Sequence, residues 1–250
     1  MSDSLLNDRP PGCIPLIAVV ASDFAAWLER QDDFLRGWLH ATGFKVKPGR
    51  FRLIPSSDGT LKAVVVCIKR ADDLWALGDL SAALPEGAYY LDTAFEARSL
   101  ERLALGWALG AYRFTRYKEP ERHLSRLALD PTCDRDRIRR RVAAVSRVRD
   151  LINTPAEDMM PEHLAEAMQT LGQKFGASFQ QLVGDELLAG HYPVIHAVGR
   201  ASTHPPRLLD LRWGDPDRPK ITLLGKGISF DTGGLDLKPS SAMRLMKKDM

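Results

Sequence analysis

The chain of 250 residues is poor in cysteine, with only Cys13, Cys67 and Cys133. An odd, widely spaced set without a C-x-x-C pair excludes a disulfide scaffold and a cysteine zinc knuckle, and it suits a reducing compartment. Long apolar runs are missing too. Ile14 to Val20 is seven residues with Pro15 inside it, far short of the roughly eighteen needed to cross a bilayer. Its N-terminal flank, MSDSLLNDRPPG, carries two aspartates, so the start reads as neither a secretory signal nor a spanning helix. The expectation is a soluble cytoplasmic protein. An excess of one charge is also lacking: 35 Lys and Arg against 32 Asp and Glu leave +3, which gives no general argument for a nucleic-acid partner. Aromatics at 8%, with 19 Gly and 16 Pro, exclude collagen-like and low-complexity architectures.

Several catalytic signatures are absent as well. No H-E-x-x-H occurs, so His40, His123, His163, His191, His196 and His204 do not form a zincin site and read as surface or packing residues. No G-x-S-x-G elbow is present. Leu224-Gly225-Lys226-Gly227 looks like the end of a phosphate loop, but residue 221 is Ile and no Ser or Thr follows the lysine.

What remains is a 44% apolar, 27% charged chain with material for one or two domains. Leu16 to Val20 reads as a buried strand. Ser22 is placed to cap a helix in which Phe24, Trp27, Leu28, Leu35, Trp38 and Leu39 recur at helical spacing until Gly43. Phe51 to Ile54, Asp58-Gly59 and Leu61 to Ile68 read as a hairpin. Its second arm is apolar on both faces and so central in its sheet. A strand near Tyr89 to Leu91 and a helix from Glu96 to Phe114 complete an α/β domain over residues 1–133.

A linking helix over 134–152 follows, with Ile138, Val142, Val145 and Ile152 on one face. Its other face carries seven arginines (135, 137, 139, 140, 141, 147 and 149) within fifteen residues. Such a stripe suits phosphates. A solvated face that bridges domains or meets a partner subunit explains it better, because no aromatics interleave. Pro155 stops this helix and Pro161 opens the next, to Lys174. Strands are expected at Leu208 to Trp213 and at Ile221 to Leu224, within a second domain over 153–250.

Chemistry concentrates in ITLLGKGISFDTGGLDLKPSSAMRLMKKDM, residues 221–250. Here a strand runs into a glycine-rich turn carrying Lys226, Asp231, Lys238 and Asp249, and sites of open α/β sheets form beyond the carboxyl ends of strands. Phe230-Asp231-Thr232-Gly233 matches the F-D-T-G of an aspartic protease. That chemistry needs a second carboxylate to share a proton. No second copy exists in the chain, and Lys226 lies five residues upstream. The other option is a metal centre built from carboxylates.

The stretch from Gly225 to Met250 resembles the metal-binding signature of the leucyl (cytosol) aminopeptidase family, the two-metal exopeptidases of the M17 type. The spacing of Lys226, Asp231, Lys238 and Asp249 matches that family position for position. DLINTPAEDMMPEHLAEAM (150–168), HYPVIHAVGRAS (191–202) and PPRLLDLRW resemble the opening of its catalytic domain, and residues 1–133 its variable α/β N-terminal domain. The departures are Thr232 where serine is common, and Leu235-Asp236-Leu237 before the lysine.

The resemblance implies an α/β zinc-exopeptidase-like catalytic domain with a central mixed sheet. It also implies a metal-dependent aminopeptidase that favours leucine or other bulky apolar N-terminal residues. In it Lys226 and Asp249 are ligands of one metal and Asp231 lies between two. Lys238 is the catalytic ammonium on the scissile carbonyl, and Met246, with Asp249, contributes to substrate binding. A homohexamer in the cytoplasm acting on peptides with a free N-terminus follows by the same resemblance, without membrane or nucleic-acid partners.

These roles are physically consistent. A lysine coordinates only when neutral, and from a pKa near 10.4 that costs about 4–5 kcal/mol at pH 7, which an adjacent dication must offset. An ammonium on a developing oxyanion contributes roughly 3–4 kcal/mol. Oxygen and amine donors suit zinc, manganese or magnesium. Family members continue into N-T-D-A-E-G-R, with two more acidic ligands and an arginine that holds a bicarbonate base. The expectation is therefore an N-terminal portion that is inactive alone. The rival readings are a nucleic-acid binder using 134–149 and an aspartic protease using 230–233.

Overall fold

A computed structural model describes residues 4–244 and 246. It divides into two compact units, Met1–Arg147 and Val148–Met250, so the division falls inside a helix rather than at its end.

The first unit is a three-layer α/β structure. Its elements are β1 (Leu5–Leu6), β2 (Ile14–Val20), α1 (Phe24–Glu29), α2 (Asp33–Ala41), β3 (Phe51–Pro55), β4 (Leu61–Ile68), α3 (Leu80–Ala83), β5 (Ala88–Leu91), α4 (Ala97–Gly110) and β6 (Arg126–Ala128). Helix α5 (Arg135–Asn153) leads out of it. The six strands form one mixed sheet in the order β1-β6-β5-β2-β4-β3, in which only β3 is antiparallel to its neighbour. The expected hairpin is present, and its second arm is indeed central, with Val64, Val65, Val66 and Cys67 fully buried.

Alternation along β4 sorts two cores. Val64, Val66 and Ile68 join Leu16, Leu103, Trp107 and Ile138 on one face. Ala63 and Val65 join Val19, Phe24, Leu39 and Ile54 on the other. Successive strand residues point to opposite faces, so an uninterrupted apolar run requires cover on both. Close packing goes further at Gly106 of α4, where a Cβ would lie 1.6 Å from the carbonyl oxygen of Leu74.

Three expectations are corrected here. The single helix expected from Ser22 to Gly43 is two, because the Asp32 carboxylate accepts the Leu35 N–H at 2.7 Å and starts α2 afresh. A side-chain oxygen at such a position satisfies an otherwise orphaned donor and favours a new start. Ser22 instead donates to Asp23 within a short 3-10 turn. On α5, Ile138 is buried but Val145 is exposed, so the apolar face is narrower than its spacing suggests.

The arginines at 135, 137 and 139 are committed at the first turns of α5. Arg137 pairs with Glu101, Arg135 lies 3.7 Å from Asp8, and Arg139 donates to Leu5 O at 3.2 Å and Asn7 Oδ1 at 3.0 Å. They tie the helix to its own domain. Glu101 also accepts the Asp134 N–H at 2.9 Å, and these donors hold its carboxyl below the ordinary range. Burial pushes the Cys133 thiol up to about 11, which removes it as a nucleophile.

The second unit contains α6 (Pro161–Phe175), β7 (Ser178–Val183), α7 (Glu186–Ala189), α8 (Pro193–Gly199), β8 (Arg207–Arg212) and α9 (Ser240–Met243). Strands β7 and β8 pair antiparallel, and α6 packs on them with Gly172 against Leu211. Gly176 ends α6 in the left-handed conformation at φ 67°. The strand expected at Ile221 to Leu224 is not formed, and Ile221, Leu223 and Leu224 are 87%, 92% and 95% exposed. Among the described residues no further strand pairs with this run, and a lone strand leaves its backbone donors and acceptors unpaired. No helix among the described residues is long and apolar enough to cross a membrane.

Candidate metal and catalytic centre

The glycine-rich stretch after residue 225 closes into a turn between Asp231 and Lys238. Gly233 and Gly234 both take positive φ, 96° and 79°, a region that L side chains avoid. At Gly233 the close approach matters more than the angle. A Cβ there would stand 2.3 Å from Asp236 O and 3.1 Å from both the Lys238 nitrogen and its Cγ. The Lys238 N–H donates to Thr232 O at 2.8 Å and shuts the turn, and Pro239 then starts α9.

This backbone brings the two charged side chains together. The Lys238 ammonium donates to Asp231 Oδ2, while Oδ1 accepts the Gly233 N–H at 2.7 Å. Met246 Sδ accepts the Asp231 N–H at 3.2 Å. The Asp231 carboxyl is accordingly held below the usual carboxylate range, first by the Lys238 hydrogen bond, then by the Gly233 N–H, with Lys226 adding a weaker pull through space. A charge-assisted bond of this kind favours the ionised form.

Of the expected site residues, Asp231, Lys238 and Met246 therefore meet. Lys226 is exposed and enters none of these hydrogen bonds. Asp249 lies outside the described residues. The direct Lys238–Asp231 pair differs from the sequence expectation, in which Lys238 faces a substrate carbonyl. Gly233, whose close-approach role the glycines around Asp231 already suggest in the sequence, lets the lysine stem fold back. The signal is the double glycine between an aspartate and a lysine.

The aspartic-protease reading needs a carboxylate partner for Asp231, and the group on its Oδ2 is an ammonium. Three of the histidines hold local structure in the second unit. His163 Nδ1 accepts the Met160 N–H at 3.0 Å, His204 meets Glu162, and His196 Nε2 lies 3.1 Å from Asp185.

A divalent ion needs anionic or amine donors that can be exchanged. Among the described residues no three His, Cys, Asp or Glu side chains cluster as a ready site. Asp231 nevertheless fits as one donor. It is partly exposed, ionised, and already engaged by a cation. Lys226, exposed and five residues upstream, is the amine near enough to act on the Asp231 charge through space.

Comparison with known proteins bears on the whole chain. Residues 14–130 match the M17 aminopeptidase N-terminal domain, and residues 146–250 the catalytic domain of the cytosol aminopeptidase family. A probable cytosol aminopeptidase of Nocardia farcinica is 30% identical over 233 residues, covering 85% of this chain and 46% of that one. One from Rhodococcus opacus is 34% identical over 175 residues, covering 63% of this chain and 35% of that one. The chain thus spans less than half the length of these relatives.

Among solved structures, the cytosol aminopeptidase of Coxiella burnetii superposes with a TM-score of 0.91 at 38% identity, over 99% of this chain and 54% of that one. The bottromycin maturation enzyme BotP in complex with Mn gives 0.69 at 27% identity, over 93% and 52%. With the N-terminal and catalytic domain models of one family matched in succession, and a mixed α/β fold shared with its solved members, the chain belongs to the M17 cytosol aminopeptidase family.

Proposed function

We propose that this chain carries part of the catalytic centre of a metal-dependent aminopeptidase, which releases N-terminal residues from peptides and favours leucine or other bulky apolar ones. The observation that carries the reading is the Asp231–Lys238 turn inside the stretch matched by the family's catalytic domain. Lys226, Asp231 and Asp249 would hold two divalent ions, of which zinc and magnesium are candidates. Manganese is the ion to test first, because the similar BotP was solved with Mn. Bound there, such ions supply a water activated near neutral pH and polarisation of the scissile carbonyl.

The chain's own residues do the rest. Lys226 coordinates through its amine only as the neutral form. Asp231 and Asp249 contribute carboxylate charge, and Asp249 also contributes to substrate binding. Lys238 remains an ammonium and donates to the oxygen that gains charge as the peptide carbonyl becomes tetrahedral. Met246 lines the pocket for the first side chain. Three donors are fewer than two ions need, so turnover requires further acidic ligands, and residues 1–250 alone are expected to be inactive. A homohexamer in the cytoplasm, with a bicarbonate base in the complete site, belongs to the same proposal.

Hydrolysis of leucine amide by the full-length polypeptide tests this. Cleavage that requires manganese, stops with a chelator and spares N-acetyl-leucine amide is the expected result. Lys238→Ala should lower kcat by about 10²–10³-fold, the cost of losing one oxyanion donor. Cleavage that persists in chelator, or none from a metal-loaded protein, overturns the proposal.

A further inference from the structure

Residues 34–57 carry five basic side chains (Arg36, Lys45, Lys47, Arg50 and Arg52) and no Asp or Glu, which leaves the rest of the chain slightly acidic. The fold adds to this run. The Gly49 N–H donates to Cys67 O and the Cys67 N–H to Arg50 O, both at 2.9 Å, so the loop before β3 lies along the end of β4 and brings Lys69 beside it. Lys45, Lys47, Arg50 and Lys69 are all exposed, and none has a side-chain partner among the described residues. Charges on a sheet edge often guard it against further strands. Here that edge is already capped by α2: Trp38 Nε1 donates to Leu53 O and the Arg52 guanidinium to Thr42 O, both at 3.0 Å.

Aromatics lie along the same edge. Phe34 is stacked on Trp38, with ring centroids 6.3 Å apart and planes 17° from parallel, and Phe34 is 50% exposed. It stands about 12 Å along the helix from Thr42. Arg52 meets the Thr42 end and Trp38 meets Leu53, so the basic loop and the stacked pair occupy successive positions along one side of the first unit. Val46, 49% exposed, sits between Lys45 and Lys47. Asp33, the acid that precedes Phe34, is taken by Arg36. Basic and aromatic side chains thus interleave here, as they do not on the arginine face of α5.

We propose that this face of the first unit binds single-stranded nucleic acid without sequence preference: Lys45, Lys47, Arg50 and Lys69 meet phosphates while an unpaired base stacks on Phe34. Charge alone would serve any polyanion. An exposed ring fixed on a helix suits an unpaired base, whose own face is available, and not a duplex, whose bases are stacked on one another. The proposal goes beyond the metal-centre reading and does not rest on it, since every residue in it lies in the first unit. Four phosphate contacts on a single strand correspond to a log–log salt slope of about −2.8, which is roughly a fiftyfold loss of affinity between about 50 and 200 mM salt.

The test is fluorescence anisotropy of a short labelled oligomer of deoxythymidine, with a uridine oligomer and a DNA duplex of equal length beside it, on the full-length polypeptide. DNA and RNA single strands share the chemistry, and the two oligomers tell which is preferred. Lys45→Gln, Lys47→Gln and Arg50→Gln together should bring the slope to about −0.7. Phe34→Ala should weaken single-strand binding by about fivefold or more, leave its slope unchanged and leave duplex binding untouched. Arg140→Gln with Arg141→Gln on α5 should change none of these. All the substituted side chains are exposed, and unchanged circular-dichroism melts verify that the variants fold. No binding of either oligomer at low salt overturns the proposal. So does a triple variant that keeps the wild-type slope, a Phe34→Ala variant that binds as tightly as wild type, or a loss that follows the α5 arginines instead. Retention by phosphatidylserine vesicles without binding to either oligomer also overturns it, and assigns this face to an anionic membrane.

Discussion

Ala63 to Ile68 and Ile221 to Leu224 are both short apolar runs of strand-forming type, and they meet opposite fates. The first lies between two strands with helices over both faces and is almost wholly buried. The second is almost wholly exposed and forms no strand. Side-chain character is similar in the two. What differs is the supply of neighbours, since β2 and β3 flank β4, whereas no strand among the described residues pairs with the later run. Strand propensity describes fit to a pleated, half-buried surface, and it is realised only where a surface is offered. The contrast also separates two kinds of local support: a packed sheet in the first unit, and a turn held by a few polar contacts in the second.

Substitutions should separate these regions sharply. Val65→Asp puts an unpaired charge where nothing is exposed, and should cost about 4 kcal/mol or more and unfold the first unit. Leu223→Asp, at a 92% exposed position, should stay within about 0.5 kcal/mol. Thermal melts followed by circular dichroism decide this, and comparable losses would break the contrast.

Glycine replacements give the next largest difference. Gly106→Ala drives a Cβ into the Leu74 carbonyl at 1.6 Å, where backbone must move, for about 3 kcal/mol. Gly225→Ala meets nothing within 4 Å and should leave the melting temperature unchanged. Within the first unit, Asp32→Ala removes only the cap of α2 and should cost about 1 kcal/mol in denaturant titrations. That intermediate value would show that packing outweighs local capping in holding this unit together.

The smallest effect is a pH dependence. Glu101 has its carboxyl held below the ordinary range, first by the Asp134 N–H and then by Arg137. A depressed folded value means the stabilisation is present above the unfolded value and is lost as pH falls through the folded one. Wild type should therefore melt higher than Glu101→Gln at about pH 6, and the gap should close toward about pH 3. A gap that persists in acid would show that shape, not charge, holds α5 at that point.

Legibility in the sequence follows the physical origin of each element. The β3–β4 hairpin, α4, α5, α6 and β8 carry their own periodicity or punctuation, so local pattern suffices. Strands β1 and β6 are two and three residues long, too short for any period to register. Strand β7 includes Gln180 and Gln181 in an exposed stretch, and exists through its pairing with β8. The site divides the same way. Lys226, Asp231, Lys238 and Asp249 stand out through the resemblance of their spacing to the family's metal-binding signature. The partner of Lys238 does not stand out, because it depends on how the backbone from Asp231 to Lys238 closes.

The sequence by itself determined the α/β class, the central place of β4 and the glycine-rich stretch in which Lys226, Asp231 and Lys238 cluster. Each is a matter of local composition, period or spacing. Only the tertiary structure decided that the helix after β2 breaks at Asp32, that the apolar run at 221–224 pairs with no strand among the described residues, and that Lys238 rests on Asp231. Those outcomes turn on which backbone groups find partners, and on how closely glycine lets one segment approach another.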